Sequence, residues 1–336
     1  MSHIVFVDVT HPKAYDFNTL KQQALGGTEA SVLRTAAILA QTHQISIYQK
    51  SRTQAHQDQG VSFLDQKQWN QLDHVDTWVV LRQFKTIQAL YQRFPNSRLL
   101  LWIHTYKNTE YALKKLLIPK NSFDIICNSQ THAEHTNNIL NHSWSGKLLT
   151  AFKGRIPVHY CYNPIPRVGF EAMTRDINKL LFLSSPNKGL PKVLQCFYWL
   201  YEQNPDLRLY VANPGYRSDA EINKHPGIII LGNLPHDQVI QHLTTSLCLF
   251  YPQDVFAETF GLIYAEANAV ETPVIAHDIG SAREILHDNN PLSDANDYPQ
   301  ILETIKQWQQ EIPKVHYNSA FSGEAIHAQW QKILSI

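Results

Sequence analysis

The sequence has no net charge, because its 29 Lys and Arg residues are balanced by 29 Asp and Glu residues. A protein that holds nucleic acid or an anionic membrane through its overall field needs a surplus of positive charge. Nucleic acid is therefore not expected as a partner, and no global field attracts a membrane.

Long apolar runs and paired cysteines are also absent. No run approaches the roughly 20 residues of a membrane-spanning helix, and the N-terminus enters a strand at once, without a basic region or a cleavage site. Four isolated cysteines, each in or beside an apolar run, predict reduced core thiols: Cys127, Cys161, Cys196 and Cys248. We expect a soluble cytoplasmic protein.

Three chemical signatures are missing as well. The chain has no D-x-D motif, no cluster of metal ligands and no G-x-G-x-x-G fingerprint. The last absence counts against a nicotinamide-dependent enzyme. The lack of a D-x-D motif agrees with a metal-independent site, and we expect no cofactor.

What the sequence does contain is an alternation of short apolar runs, typical of buried parallel strands, with segments of helical spacing. At 336 residues, 43% of them hydrophobic, the chain is long enough for two domains. The predicted strands are Ile4–Asp8, Gln44–Gln49, Thr77–Leu81, Arg98–Ile103, Phe123–Cys127, His159–Tyr162, Lys179–Leu183, Leu207–Ala212, Ile228–Leu231, Leu247–Tyr251 and a short strand after Pro273. The fold class is therefore α/β, with the proline-containing turn Asn163–Pro166 as a linker.

The most informative stretch runs from Leu249 to Ile275 and is predicted to form a strand, a loop, a helix and a strand. We predict that the helix begins near Phe260, with Thr259 as its N-cap. The amides of Phe260, Gly261 and Leu262 then face the loop and favour an anion such as a phosphate.

Two glutamates flank this helix start. Glu266 lies more than one turn inside and would repel an anion, so it is better suited to accept hydrogen bonds from ribose hydroxyls. Glu258, at the end of the preceding strand, can do the same for a second sugar ring. A phosphate between two such rings describes a nucleotide-activated sugar. On spacing alone, two glutamates eight residues apart are more often solvated surface charges.

Two other positions fall where ligands bind in parallel sheets. Gly26 and Gly27 precede a predicted helix and allow close approach of a phosphate or a sugar, although a plain loop-to-helix turn has the same pattern. His104 follows a strong strand, at the edge of the sheet that faces ligands, but a structural histidine is equally compatible with that position.

The segment Glu258-Thr-Phe-Gly-Leu-Ile-Tyr-Ala-Glu266 resembles the donor-site motif of the family-4 glycosyltransferases and related retaining enzymes of GT-B fold. The continuation through Pro273-Val-Ile, and the turn Ile279-Gly280 with Glu284 after it, are similar to the same family. Glu271 stands where that family usually has glycine.

This resemblance implies a GT-B fold, in which two Rossmann-like doubly wound domains face a central cleft. The implied domains are residues 1–165 on the acceptor side, residues 166–316 on the nucleotide-sugar side, and a C-terminal helix within 317–336 that crosses back to the first domain. The acceptor loops of such a fold are Thr10–Leu25 and Tyr106–Lys120 here.

The resemblance also implies site roles. Lys188 and Ser185 hold the donor pyrophosphate, with serine in place of the usual arginine; Gly232 lies beside the nucleobase; and His104 contacts the transferred sugar. The implied catalytic residues are His104, Glu258 and Lys188, and the implied donor-binding residues are Gly26, Gly27, Ser185, Lys188, Gly232, Phe260, Gly261, Leu262 and Glu266.

The implied activity is metal-independent, retaining transfer of a hexosyl group from a nucleoside diphosphate sugar to a hydroxyl acceptor. Glycan, lipopolysaccharide or glycolipid assembly in a bacterium suits this activity, and peripheral contact with a membrane is compatible with it. Two alternatives stay open: a nucleotide-sugar epimerase with the same fold, and a non-catalytic nucleotide-sugar-binding or scaffold protein.

Overall fold

The computed structural model describes residues 1–23, 25–117, 122–167, 169, 173–213 and 224–335. The chain divides into two compact units. The first comprises Met1–Phe17, Ser31–Pro164 and Gly323–Ile336, and the second comprises Asn18–Ala30 and Ile165–Ser322. Each unit is built around its own β-sheet.

The first unit contains an eight-stranded sheet with the strand order β3-β4-β2-β1-β5-β6-β7-β8. Its strands are β1 His3–Asp8, β2 Gln44–Gln49, β3 His56–Asp58, β4 Val61–Asp65, β5 Thr77–Leu81, β6 Arg98–Trp102, β7 Asp124–Cys127 and β8 Val158–Tyr160. Only β3 pairs antiparallel, with β4. The apolar run Ile4–Val7 is completely buried, as expected for a central parallel strand.

The helices of both units are numbered together along the chain. They are α1 Phe17–Gln22, α2 Gly27–Leu39, α3 Phe84–Arg93, α4 Gln130–Asn137, α5 Trp144–Lys153, α6 Leu190–Gln203, α7 His236–Thr244, α8 Leu262–Ala269, α9 Ala282–Ile285, α10 Tyr298–Gln310 and α11 Gly323–Leu334. Between α3 and α5 the chain also forms a 3-10 helix, Thr109–Leu117, and a π-helical turn, Asn138–His142.

The C-terminal helix α11 completes the core of the first unit. Trp330 is fully buried, and its ring lies 6.1 Å from that of Phe6 and 5.4 Å from that of Trp102, measured between centroids. Gln329 Oε1 accepts a hydrogen bond of 3.0 Å from the amide of Tyr162. The last helix of the chain therefore packs on strands that lie more than 200 residues earlier in the sequence.

The second unit contains a five-stranded parallel sheet with the order β11-β10-β9-β12-β13. Its strands are β9 Asp176–Leu183, β10 Arg208–Asn213, β11 Ile228–Asn233, β12 Ser246–Tyr251 and β13 Val274–Ala276. From β9, the chain first adds strands on one side and then crosses to the other side with β12. The switch point of this doubly wound sheet therefore lies between β9 and β12, which is where ligands bind in such folds.

Arg175 joins the C-terminal ends of α7 and α8. One terminal nitrogen of its guanidinium donates to Thr272 Oγ1 (2.8 Å) and to the carbonyl of Leu243 (3.4 Å), and the other donates to the carbonyls of Val270 (3.2 Å) and Glu271 (3.1 Å). A cation is favourable at these helix ends because their last carbonyls are unpaired within the helix and carry partial negative charge.

The end of α8 forms a Schellman motif. The amide of Thr272 donates to the carbonyl of Ala267 (2.8 Å), and the amide of Glu271 donates to that of Asn268 (3.1 Å). Glu271 has a φ of 59°, in the left-handed region that glycine occupies without strain. This backbone conformation is compatible with the glycine that the resemblance leads us to expect at the position.

All four cysteines are buried with free thiols, as predicted. Among the helices of the described residues, none combines the length and the apolar character that a membrane span requires. The predicted strands are present with small shifts at their ends. The hairpin β3–β4 and the helix α5 were not predicted.

Candidate functional site

Two loops of the second unit start at the switch point of its sheet. The first follows β9 and leads through Ser184–Gly189 into α6, and the second follows β12 and leads through Pro252–Gly261 into α8. Both leave the carboxyl ends of strands that are hydrogen-bonded neighbours. Predicted site residues on these loops therefore lie at the edge where parallel sheets bind ligands.

An ion pair joins the two loops. Lys188 Nζ lies 2.9 Å from Glu258 Oε1 and 3.0 Å from Oε2, and the side chain of Glu258 is only 10% exposed. The ammonium also lies 4.8 Å from the ring centroid of Phe256, a cation–π contact. The structure therefore brings the predicted residues Lys188 and Glu258 together as partners, which spacing in the sequence did not reveal.

Tyr251 forms a further hydrogen bond with the carboxylate of Glu258. Its hydroxyl donates to Glu258 Oε1 at 3.3 Å, and its ring stacks on Phe182 at 5.5 Å between centroids. Burial and the negative charge of Glu258 raise the pKa of Tyr251 well above its ordinary value. The phenol is therefore neutral and acts as a hydrogen-bond donor to Glu258.

The backbone of Glu258 is held by a tight turn at Ser281. Both the amide and the Oγ of Ser281 donate to the carbonyl of Glu258, at 3.0 Å and 2.9 Å. Gly280 has a φ of 63°, and a Cβ on it would lie 2.6 Å from that carbonyl oxygen. Glycine is therefore required at position 280, because any side chain would push Glu258 away.

Glycine also sets the contact between the two loops. Gly189, with a φ of 91°, precedes α6, and a Cβ on it would lie 2.6 Å from the Cβ of Gln253. Gln253 in turn fixes its own loop, because its Oε1 accepts from the amides of Val255 (3.0 Å) and Phe256 (2.7 Å). The turn that carries Lys188 therefore packs closely against the loop that carries Glu258.

Ser185, the residue in place of the expected arginine, lies in the same turn. Its carbonyl accepts a hydrogen bond of 2.8 Å from the amide of Lys188. Its hydroxyl is buried and has no hydrogen-bond partner among the described residues. A buried hydroxyl without a partner costs about 1–3 kcal/mol, which a ligand oxygen can recover.

The predicted start of α8 at Phe260, with Thr259 as N-cap, is wrong by two residues. Gly261 has φ 75° and ψ 67°, a left-handed conformation, so the helix begins at Leu262 with Gly261 as N-cap. A Cβ at Gly261 would lie 2.5 Å from the ring of Tyr264, which explains the glycine. Gly261 also offers no side chain to cap the first turn.

This correction moves the amides that can face an anion. They belong to the first turn of α8, Leu262 and Ile263, which have no helical carbonyl before them. The side chain of Phe260 is buried, with its ring 5.0 Å from that of Phe321.

The Gly26-Gly27 turn lies against this helix start. A Cβ on Gly27 would lie 2.8 Å from Leu262 Cδ1, and both residues belong to the second unit. The helix α2 begins at Gly27, and Gly26 accepts the first hydrogen bond, from the amide of Ala30 at 3.0 Å. Two helix N-termini therefore lie side by side. Ala24, at the beginning of the predicted turn, lies outside the described residues.

Glu266 is buried on α8 and pairs with a residue that sequence reasoning missed. His236 Nε2 lies 2.9 Å from Glu266 Oε1, and the two side chains are 31% and 10% exposed. His236 is the first residue of α7, three residues after β11. Gly232, with a φ of 69°, is the last residue but one of that strand, and a Cβ on it would meet nothing within 4 Å. In the sequence, the position of His236 shortly after a predicted strand could have identified it as a site residue.

His104 lies in the first unit, directly after β6, and its tautomer follows from its partners. Trp102 Nε1 can only donate, and it donates to Asn128 Oδ1 at 2.7 Å. Asn128 Nδ2 must then be the donor in its 3.1 Å contact with His104 Nδ1. The neutral imidazole of His104 therefore carries its proton on Nε2.

His104 is also uncharged. Burial lowers its pKa well below the ordinary value, and the charges of Arg82, His132 and Lys107 lower it further. At neutral pH the side chain is a hydrogen-bond donor through Nε2 rather than a cation.

Arg82, after β5, was not predicted as a site residue. Its guanidinium lies 3.1 Å from Asp8 Oδ2, and its backbone has a φ of 61°. Burial raises the pKa of Asp8, but Arg82 and the hydrogen bonds from Thr10 and His11 outweigh that effect, so the pKa lies below its ordinary value. An ionised pair therefore sits at the carboxyl ends of β1 and β5, and its cation acts on the pKa of His104.

No group of three or more His, Cys, Asp or Glu side chains in the described residues has the geometry to hold a metal ion. The groups assembled in the second unit are instead one cation, two acids and a pair of helix starts.

Residues 178–317 match the family Glycosyl transferases group 1. A search of curated proteins found no match for the sequence. Several solved structures are similar over the whole chain. Sucrose-phosphate synthase from Thermosynechococcus elongatus is 14% identical, with a TM-score of 0.69, and the alignment covers 100% of this chain and 97% of that one.

Two further structures give the same result. AviGT4, a glycosyltransferase involved in avilamycin A biosynthesis, is 12% identical with a TM-score of 0.64, covering 100% of this chain and 97% of that one. HepE of Anabaena, solved in complex with UDP and glucose, is 14% identical with a TM-score of 0.62, covering 100% of both chains. The fold of the protein is therefore that of the GT-B glycosyltransferases, as predicted.

Proposed function

We propose that the protein is a retaining glycosyltransferase, which moves a hexosyl group from a nucleoside diphosphate sugar to a hydroxyl acceptor without a metal ion. The observation that carries this proposal is the Lys188–Glu258 ion pair at the switch point of the second sheet. The match of residues 178–317 to Glycosyl transferases group 1 supports it, because that segment contains Lys188, Glu258 and the carboxyl ends of both strands of the switch point.

The donor diphosphate binds between Lys188 and the first turn of α8. Each charge-assisted hydrogen bond from an ammonium is worth about 1.5–3 kcal/mol. The amides of Leu262 and Ile263 add donors that need no further ordering. Gly27 has no side chain, so Leu262 packs directly against the backbone of the Gly26-Gly27 turn. Ser185 supplies a neutral donor where the arginine of the family is missing.

The two acids hold the rings on either side. Glu258 accepts from hydroxyls of the transferred sugar, and its carboxylate is kept in place by Lys188 and Tyr251. Glu266 accepts from the ribose, and His236 orients its carboxylate. His104 donates from Nε2 to an oxygen of the transferred sugar.

In the reaction, the bond between the anomeric carbon and the diphosphate breaks while the acceptor oxygen bonds to that carbon. The acceptor proton passes to the leaving diphosphate. As the bond to the anomeric carbon breaks, negative charge develops on the diphosphate, where Lys188 and the helix amides stabilise it. One such donor typically contributes a factor of about 10²–10³ in rate. Glu258 is not assigned as a nucleophile, because its carboxylate is bound to an ammonium.

The test combines binding with turnover. Thermal-shift and calorimetric titrations with UDP-, GDP- and ADP-sugars identify the donor, since a ligand at 100 times its Kd stabilises the protein by about 2.7 kcal/mol. Glu266→Ala is expected mainly to weaken nucleotide binding, whereas Glu258→Ala is expected to abolish transfer. Glu303→Ala, an exposed acid on α10, is the matched control. Unchanged turnover in both site variants would refute the assignment.

The same experiments separate the alternatives. An epimerase needs both an acid and a base at the sugar ring, and it would convert a UDP-sugar into its epimer without any acceptor. A scaffold protein would bind the nucleotide sugar but give no hydrolysis or transfer above background. Proton NMR of the product then reports whether the anomeric configuration is retained.

A further inference from the structure

Exposed apolar side chains are concentrated in one part of the first unit. Twelve large hydrophobic side chains of the described residues are exposed, and six of them lie on the 3-10 helix Thr109–Leu117 and on α5: Leu113, Leu116, Leu117, Trp144, Leu148 and Phe152. Soluble monomers normally scatter such residues, so a concentration of this kind marks an interaction surface.

The helix α5 presents three of these residues as a stripe. Trp144, Leu148 and Phe152 are four residues apart, which places them on one helical face. They are 84%, 51% and 77% exposed, respectively. We call them the α5 stripe.

The opposite face of α5 is fixed to the protein, so the exposure of the stripe does not come from a loosely attached helix. Ser143 Oγ caps the helix by accepting from the amide of Gly146 at 3.1 Å, and a Cβ at Gly146 would lie 2.5 Å from the carbonyl of Ile139. Lys115, on the 3-10 helix, is buried and donates to Thr150 Oγ1 of α5 at 2.6 Å.

The surroundings of the stripe are basic, although the chain as a whole is neutral. The sequence contains no Asp or Glu between Glu134 and Glu171. Within that segment Lys147 and Arg155 are exposed and Lys153 is partly exposed. Aromatic and aliphatic side chains on one helical face, bordered by lysines, are the pattern of helices that lie in the interface of an anionic membrane.

We propose that the α5 stripe docks the protein on the surface of an anionic lipid bilayer. A second copy of the chain fits this surface less well, because a twofold interface would bring each basic patch against itself. The lysines favour an acidic surface, and a protruding row of Trp, Leu and Phe side chains suits insertion between lipid headgroups. The proposal does not depend on the catalytic activity.

Vesicle co-sedimentation tests the proposal with the full chain. Binding is expected to vesicles of phosphatidylcholine mixed with phosphatidylglycerol, weaker binding to phosphatidylcholine alone, and weaker binding at high salt. The triple variant Trp144→Ser, Leu148→Ser, Phe152→Ser is expected to abolish binding. Lys147→Gln and Lys153→Gln are each expected to lower the partition coefficient about fivefold.

Two measurements guard against misfolding and against other partners. Trp144 fluorescence is expected to shift to the blue on mixed vesicles, and Trp144→Phe should remove that shift. Ile230→Ser removes an apolar residue of the second unit that is 57% exposed, and this variant should bind as the parent does. Vesicle binding that the triple variant leaves intact would overturn the proposal. So would a dimer that the variant dissociates, or an acidic protein that competes for the stripe while vesicles do not bind.

Discussion

Substituting Gly280 by Ala tests whether the turn at Ser281 positions Glu258. A non-glycine residue in the left-handed region costs about 1–2 kcal/mol. At Gly280 the new Cβ would also lie 2.6 Å from the carbonyl oxygen of Glu258. That carbonyl must then move by several tenths of an ångström and weaken the two hydrogen bonds from Ser281. Each of those bonds contributes about 0.5–1.5 kcal/mol.

Gly232 provides the matched control. It has a similar φ of 69°, but a Cβ there meets nothing within 4 Å, so Gly232→Ala bears the backbone cost alone. In urea unfolding, Gly280→Ala is expected to lower the free energy of unfolding by about 1–3 kcal/mol more than Gly232→Ala does.

The same substitution should affect turnover through the position of the Glu258 carboxylate. A displacement of about 1 Å can reduce the rate about 100-fold. The assay is donor hydrolysis or transfer at saturating donor, with the urea data collected on the same preparations. Equal destabilisation by the two substitutions, together with unchanged turnover in Gly280→Ala, would refute the reasoning.

Three further predictions concern single side chains. Asn128→Asp replaces the donor to His104 Nδ1 by a carboxylate, so the pKa of His104 should rise and Nδ1 should become protonated. ¹⁵N NMR of the imidazoles measures this change, and His104→Ala identifies the signal of His104. An unchanged signal would contradict the tautomer assignment. Glu271→Gly should raise the free energy of unfolding by about 0.5–1 kcal/mol. Glycine removes the strain of a left-handed backbone conformation at position 271, and this gain exceeds the cost of a more flexible unfolded chain. A lower urea midpoint for the variant would argue against the strain. Burial lowers the pKa of Lys115 to about 8, whereas the pKa of lysine in the unfolded chain is about 10.4. Between these two pH values the unfolded state binds more protons than the folded state, so the free energy of unfolding should rise with pH. Lys115→Met should flatten this pH dependence, and a parent protein that loses stability between pH 8 and 10 would contradict the argument.

The strands were predictable because each is a short apolar run that ends at a polar residue. Ligands bind at the carboxyl ends of such strands, so the placement of Lys188 and Glu258 at one sheet edge could be expected from sequence. Their pairing could not, because it depends on how closely the two loops approach at Gly189 and Gln253.

The predicted start of α8 was wrong because of the backbone conformation of Gly261. Gly261 can be helical or left-handed, and the ring of Tyr264 beside it fits the second choice. His236 escaped notice because its partner Glu266 lies 30 residues later, on another helix. The helix α5 was missed because its apolar face points outward, against the rule that such a face marks the core.

Arg175 has a consequence for how the second unit responds to a ligand. It binds the carboxyl-terminal ends of α7 and α8. The helix α7 begins at His236, and α8 contains Glu266. If Glu266 binds the ribose as proposed, His236 holds the acid in place and Arg175 holds the far ends of the two helices. A substitution at Arg175 should then weaken nucleotide binding, because the ends of the two helices would no longer be joined.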